Sequence, residues 1–238
     1  MKVFIVHAHA EPKSFNGALT RLAKETLEAQ GHEVRISDLY AMKFDPVSDR
    51  RNFIFQKEPD YFKQQIEEMY ASNCNGFSLD ILAEIDKLEW CDVLIFQFPL
   101  WWFGLPAILK GWVDRVFVMG RIYGGGKWYD NGVFKGKRAL LSLTTGGGES
   151  MYSETGLNGN IRDILFPINH GILRFVGFNV LPPFIAYAPS RIGEEGRKAY
   201  LQQYQQRLLT LQETTPLSFP SLDDYDENFQ LNKLNEDS

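Results

Sequence analysis

The stretch Gln97-Phe98-Pro99-Leu100-Trp101-Trp102-Phe103-Gly104-Leu105-Pro106-Ala107-Ile108-Leu109-Lys110-Gly111-Trp112 decides the reading of this chain. The apolar run Val93 to Phe98 that leads into it has the length and composition of a strand covered on both faces. Pro106 stands where a helix tolerates proline, in its first turn. Between strand and helix lies a loop, bounded by proline and glycine, that carries Trp101, Trp102 and Phe103. Three consecutive loop side chains cannot all turn into one core, so the loop reads as a flat platform for an aromatic ring system.

Strands and helices alternate on either side of this loop. Toward the N-terminus the pattern predicts a strand from Lys2 to His7, a helix from about Asn16 to Gln30 stopped at Gly31, and a strand from Glu33 to Ser37. A long excursion from Asp38 to Ser78, with a polar amphipathic piece around Tyr61 to Tyr70, reads as a surface loop system, and a helix from Leu79 to Leu88 follows. Toward the C-terminus come a helix from Pro106 to Val118, a strand from Arg138 to Leu143, a helical stretch from Ile161 to Phe175, a strand from Phe178 to Tyr187 and a helix from Gly193 to Leu211. No internal repeat appears. Such a βαβ series predicts an α/β fold, a doubly wound five-stranded parallel sheet with helices on both faces. Residues 1–212 form one domain in this reading, and residues 213–238 an extended tail. Ligands of such sheets bind beyond the C-terminal ends of the strands.

Composition narrows the classes of function. The 238 residues are 44% hydrophobic and 23% charged, enough for a large core and without a disorder signature before the chain's end. The net charge is -5 and the basic residues are scattered, so neither a nucleic-acid footprint nor a polybasic membrane patch is present. Cys74 and Cys91 have neither disulfide-framework nor metal-ligand spacing and suit a reducing compartment, the cytoplasm. Cys91 reads as a small core residue. The apolar run Val3 to Val6 is too short for a secretory h-region, and no stretch is long enough to span a membrane.

Three loops at the strand ends carry chemistry. The first, from His7 to Asn16, places Ser14 and Asn16 at a helix start, where free N–H groups and the helix dipole favour an anion; an ordinary capped helix explains the same residues. The second is the aromatic loop. The third, Thr144-Thr145-Gly146-Gly147-Gly148, can bring backbone N–H groups close to a ligand, though it also reads as a flexible turn. No Gly-x-Gly-x-x-Gly follows the first strand, and Gly124-Gly125-Gly126-Lys127-Trp128 lacks the strand and the hydroxyl of a P-loop. An anion-ready helix start, an aromatic platform and a glycine-rich donor loop on one sheet edge suit a flavin nucleotide.

Five stretches then carry a family resemblance: His9 to Asn16, Ser37 to Met42, Gln97 to Trp112, Ser142 to Gly147 and Gly171 to Phe178. They resemble the NAD(P)H:quinone oxidoreductase (DT-diaphorase) family over nearly the whole chain, including the tail from Pro216 to Phe219 and from Asp226 to Gln230. The resemblance implies a flavodoxin-like fold, tightly but non-covalently bound FAD, NAD(P)H as co-substrate, and a homodimer with active sites at the subunit interface. It implies ping-pong chemistry: hydride passes from NAD(P)H to flavin N5, and a quinone or similar flat acceptor then takes two electrons in the same slot.

Residue by residue, the resemblance makes His9, Ser14, Phe15 and Asn16 the diphosphate and ribityl contacts. Pro99, Leu100, Trp101, Trp102 and Phe103 would flank the isoalloxazine, and Thr144, Thr145, Gly146 and Gly147 would donate to its polar edge. Glu194 and Arg197 would reach the adenine end. Tyr152 matches a tyrosine that hydrogen-bonds the flavin and is the first catalytic candidate. Asn158 stands where mammalian members have histidine; an asparagine accepts no proton near neutral pH and serves only as a hydrogen-bonding partner. Trp102, Phe103, Tyr123 and Phe175 would shape the substrate slot, while the second of two expected pocket tyrosines falls on Gly125. No metal is expected, since Arg174 stands where one branch has a metal-binding histidine. A different class of function remains open, a flavin-bearing regulatory subunit of a potassium efflux system. An FMN-binding electron carrier is a third reading.

Overall fold

Strand β1 (Lys2–His7) is sealed along Val3–His7, because β2 (Glu33–Asp38) and β3 (Val93–Pro99) pair with it on either side, both parallel. The computed structural model describes residues 1–232; the end of the expected tail, 233–238, lies outside the described residues. β4 (Arg138–Thr145) continues the sheet in parallel beside β3, from Val93 opposite Arg138 to Pro99 opposite Thr144. The sheet runs β2-β1-β3-β4 and ends in two short strands, β5 (Asn179–Val180) and β6 (Phe184–Tyr187), both paired with β4.

Helices cover both faces. On one side α1 (Phe15–Ala29) and α6 (Gly193–Leu209) bury Leu19, Ala23, Leu27, Tyr204 and Leu208 against Val3, Ile5, Val93 and Ile95. On the other, α3 (Leu79–Trp90), α4 (Ala107–Val116) and α5 (Ile161–Ile168) bury Ile81, Ile85, Leu109, Trp112 and Leu165 against Phe4, Phe96 and Leu141. Apolar positions at helical spacing meet strands that are apolar throughout, which is the two-sided burial expected of a parallel sheet.

Several expectations are corrected. The single last strand is broken, since Pro182 and Pro183 have no N–H to give the ladder. The helical stretch after Ile161 is not uniform: Pro167 sits inside α5, and the ladder re-registers to a π-helical segment, Asn169–Arg174, ended by Phe175 N–H donating to His170 O at 3.0 Å. Pro106 caps α4 rather than opening its first turn. The excursion over residues 38–78 is not a surface loop system. It holds α2 (Gln64–Cys74) and sinks Phe44, Phe53, Ala71 and Phe77 into the core. Cys91 is buried, as expected, and Cys74 is exposed.

The described part of the tail lies along the domain. Leu217 N–H donates to Val180 O at 2.8 Å and Leu222 N–H to Asp130 Oδ2 at 2.7 Å, while Leu217 and Phe219 pack on the core.

Candidate active site

The order in which successive strands are added reverses between the parallel neighbours β1 and β3, and the loops that leave the C-terminal ends of β1, β3 and β4 gather at that crevice. The first loop ends in the start of α1. Ser14 Oγ accepts from Gly17 N–H at 3.1 Å and Ser14 O from Ala18 N–H at 2.9 Å, but the N–H groups of Phe15 and Asn16 find no acceptor among the described residues. Two free donors at a positive helix end suit an anion. His9 stands beside them, half-buried, with its ring 6.1 Å from that of Trp101.

Asn16 joins the three loops from below. Buried to 3% exposure, it donates through Nδ2 to Thr144 Oγ1 at 2.9 Å and accepts at Oδ1 from Gln97 Nε2 at 2.9 Å. Gln97 is the one polar residue in an otherwise apolar β3, and its Oε1 is sealed without a partner. That isolation in the strand was the signal that it belongs to the site.

The aromatic loop is held out in the solvent. Leu100 N–H donates to Thr144 O at 2.8 Å and ties the loop's root to the end of β4, with Pro99 and Leu100 buried. Gly104 N–H then closes on Trp101 O at 3.0 Å, and Trp102 and Phe103 take left-handed backbone angles of φ 49° and 57°. Residues with a Cβ adopt that region at a cost, and such strain collects at functional sites. Trp101, Trp102 and Phe103 are 44%, 98% and 50% exposed. None of them is core filling.

In the third loop Thr144 and Thr145 are buried, and Thr145 Oγ1 donates to Gly147 O at 2.8 Å. The N–H groups of Gly146 and Gly147 have no acceptor among the described residues, which leaves them for a ligand. A Cβ on Gly147 would stand 2.8 Å from Met151 Sδ and 3.2 Å from Tyr152 Cε2, so the loop lies close against Tyr152. Tyr152 is buried, its ring 5.9 Å from that of Tyr187 at the end of β6. Burial, with Glu149 and two tyrosines nearby, pushes the Tyr187 hydroxyl up to about 12, so it stays protonated and can donate. Tyr187 was not singled out from sequence, although the C-terminal end of a strand is where such residues collect. Asn158 is brought to Tyr152 by its backbone: its N–H donates to Met151 O at 2.9 Å.

The remaining candidates lie apart. Glu194 and Arg197 are in the first turns of α6, Glu194 exposed and 3.0 Å from Lys198, Arg197 donating to Pro189 O at 3.3 Å. Tyr123 and Phe175 pack together, 5.8 Å between centroids, and Trp128 adds edge contacts to Phe175 and to Phe229 of the tail at 6.4 and 6.2 Å. No ring contact joins this group to Trp102 or Phe103 among the described residues. Within one chain the aromatic candidates therefore fall into two separate groups, and Trp128 and Phe229 join the second. Arg174 is taken by Asp130 in an ion pair, and no group of three or more potential metal ligands occurs among the described residues. None of the described helices is long and apolar enough to cross a membrane.

Residues 1–208 match the family model of the flavodoxin-like fold, and the chain belongs to that family. Within it, the chain is 46% identical over 230 residues to NAD(P)H dehydrogenase [quinone] 1 of Rattus norvegicus, covering 96% of this chain and 84% of that one. It is 45% identical over 217 residues to ribosyldihydronicotinamide dehydrogenase [quinone] of Pongo abelii, covering 91% and 94%. A crystal structure from Klebsiella pneumoniae, described as a candidate quinone reductase, superposes with a TM-score of 0.94 at 41% identity, covering 97% of this chain and 93% of that one. The chain is an enzyme of the NAD(P)H dehydrogenase (quinone) family.

Proposed function

We propose that this enzyme is an FAD-dependent NAD(P)H:quinone oxidoreductase of a reducing, cytoplasmic compartment, working by a ping-pong cycle as a homodimer. The observation that carries the reading is the pairing of unsatisfied backbone donors, Phe15 and Asn16 at one end of the crevice and Gly146 and Gly147 at the other, with an exposed aromatic loop between them. That donor set fits a flavin nucleotide: an anion at the helix start, a flat ring beside Trp101, Trp102 and Phe103, and a polar ring edge at the glycines. The sealed, partnerless Oε1 of Gln97 marks a position short of a donor that a bound group or an ordered water would supply.

Bound FAD would supply the two-electron relay between NAD(P)H and quinone, which take turns in one slot. The protein's part is to bind, orient and donate. Phe15 and Asn16 N–H would hold the diphosphate with His9 and Ser14 beside them, and Arg197 and Glu194 would serve the adenine end. Pro99 and Leu100 anchor the root of the aromatic loop that would flank the ring. Gly146 and Gly147 N–H and the Tyr152 hydroxyl donate where negative charge develops, and preorganised donors of this kind lower a barrier without reorganising. Asn158 adds a hydrogen bond and carries no proton. Tyr123 and Phe175 form the far wall, contributed by the second subunit, since they do not reach Trp102 and Phe103 within one chain.

The test is to purify the protein, identify its heat-released cofactor by mass spectrometry and follow NADH and NADPH oxidation with a soluble quinone. FAD and quinone-dependent turnover are expected. FMN alone, or FAD without turnover, contradicts the proposal, and the second outcome favours the regulatory-subunit reading.

A further inference from the structure

The excursion over residues 38–78 grips the turn that carries Tyr123. Helix α2 presents Glu68 and Ser72, one helical turn apart, to Met119. Glu68 Oε2 accepts from Met119 N–H at 2.7 Å, and Ser72 Oγ donates to Met119 O at 2.9 Å. Both backbone groups of one residue are thus held from the same helix. Glu68 is 2% exposed, and its other oxygen accepts from Gln64 Nε2 at 2.8 Å. No lysine or arginine forms an ion pair with it among the described residues. A buried carboxylate without a cation is costly, and here two donors are its compensation.

Met119 opens a tight turn. Gly120 N–H donates to Tyr123 O at 2.8 Å and Ile122 N–H to Val118 O at 2.9 Å. Gly120 has φ +89°, and a Cβ there would lie 2.9 Å from Met69 Sδ and 3.2 Å from Ser72 Oγ, so glycine allows the turn to sit against α2. Gln65 Nε2 reaches the Tyr123 hydroxyl at 3.4 Å.

We propose that Glu68 is a positioning residue for the acceptor slot: with Ser72 it clamps the turn from Met119 to Tyr123 and sets the Tyr123 ring against Phe175. This rests on the reading of Tyr123 and Phe175 as the slot's far wall. It gives the excursion a role in acceptor binding. The titratable groups around Glu68 are Tyr123 from the turn, Asp114 from α4 across a cavity of about 220 Å³, and Glu67 on its own helix; Ile172 and Phe175 face the same cavity from the π-helical segment and beyond it. Asp114 is held by Lys110, and Glu67 by the N–H groups of Lys57 and Glu58. Burial holds the Glu68 carboxyl above the usual carboxylate range. On protonation one of its two acceptor positions becomes a donor, so the clamp weakens as pH falls through that raised value.

The experiment compares wild type with Glu68→Gln and Ser72→Ala, using hydrogen exchange over residues 119–123 and steady-state kinetics with a soluble quinone. Glu68→Gln should speed exchange about tenfold and raise the quinone KM about tenfold, with kcat kept within about twofold. The wild-type KM should climb on the acid side, while that of Glu68→Gln stays high and flat. In a Tyr123→Ala background Glu68→Gln should add nothing. An unchanged KM, or an equal rise in that background, overturns the proposal. Where Glu68→Gln fails to fold, Ser72→Ala gives the same readouts in milder form. Absence of quinone turnover in wild type would defeat the functional reading; exchange in Glu68→Gln then decides the clamp, upheld if faster and overturned if not.

Discussion

Asn16 donates to Thr144 across 128 residues of sequence, Nδ2 to Oγ1 at 2.9 Å, and so fixes the start of α1 to the end of β4. With Gln97 on its other side, Asn16 is the only link among the three buried side chains that touches both neighbours. Asn16→Ala strands Gln97 Nε2 and Thr144 Oγ1 in a buried site, at a cost of about 1–3 kcal/mol. Urea unfolding should show that loss together with lowered flavin content. Unchanged stability and full occupancy would remove Asn16 from the account.

Tyr152 and Asn158 divide the polar edge unequally. Tyr152→Phe should slow flavin reduction by up to about 10²-fold, less where the Gly146 and Gly147 N–H groups share the charge. Asn158→Ala should have a smaller effect. Stopped-flow reduction rates that are equal in wild type and Tyr152→Phe would exclude the hydroxyl from the chemistry.

The order of the elements and the three loops were legible in the sequence because burial on both faces of a parallel sheet writes itself as short apolar runs. The lone glutamine of β3 and the tyrosine that ends β6 were equally visible but had no partner in the sequence to reveal them: Gln97 acquires meaning from Asn16, and Tyr187 from Tyr152, only through tertiary contact. The excursion was misread for a related reason. Its acidic, polar α2 looks like a solvated helix, yet Glu67 and Glu68 are buried because backbone N–H groups from distant turns satisfy them. Tyr123 and Phe175 were grouped with Trp102 and Phe103 by resemblance, and their separation within one chain is a matter of geometry that spacing does not encode.

Acid sensitivity should arise beside the site. His7, at the end of β1, is 3% exposed with Nδ1 2.8 Å from Thr20 Oγ1. Burial holds its imidazole below the ordinary value near 6.5, with His9 and Arg21 adding to the effect and Asp38 opposing it. A depressed value means that the folded state favours the neutral ring, so this stability is present above 6.5 and is lost as pH falls through the lowered value. Urea midpoints between pH 7 and pH 5 should drop more for wild type than for His7→Asn. Equal slopes would rule out His7 as the source.

Trp102 is almost wholly exposed at 98%, next to two half-exposed aromatics, and soluble monomers rarely leave such a patch uncovered. The proposed twofold dimer, with the partner's far wall over the aromatic loop, would cover it. Light scattering with activity on serial dilution should show flavin occupancy and turnover falling together as dimer is lost. A stable, flavin-loaded and fully active monomer would contradict the shared slot.

The central claim, a single slot used in turn by NAD(P)H and quinone, is tested most directly by a matrix of initial rates over both concentrations. The account predicts parallel lines in double-reciprocal plots, because the first product leaves before the second substrate enters. Lines that intersect would show both bound at once, and would contradict it.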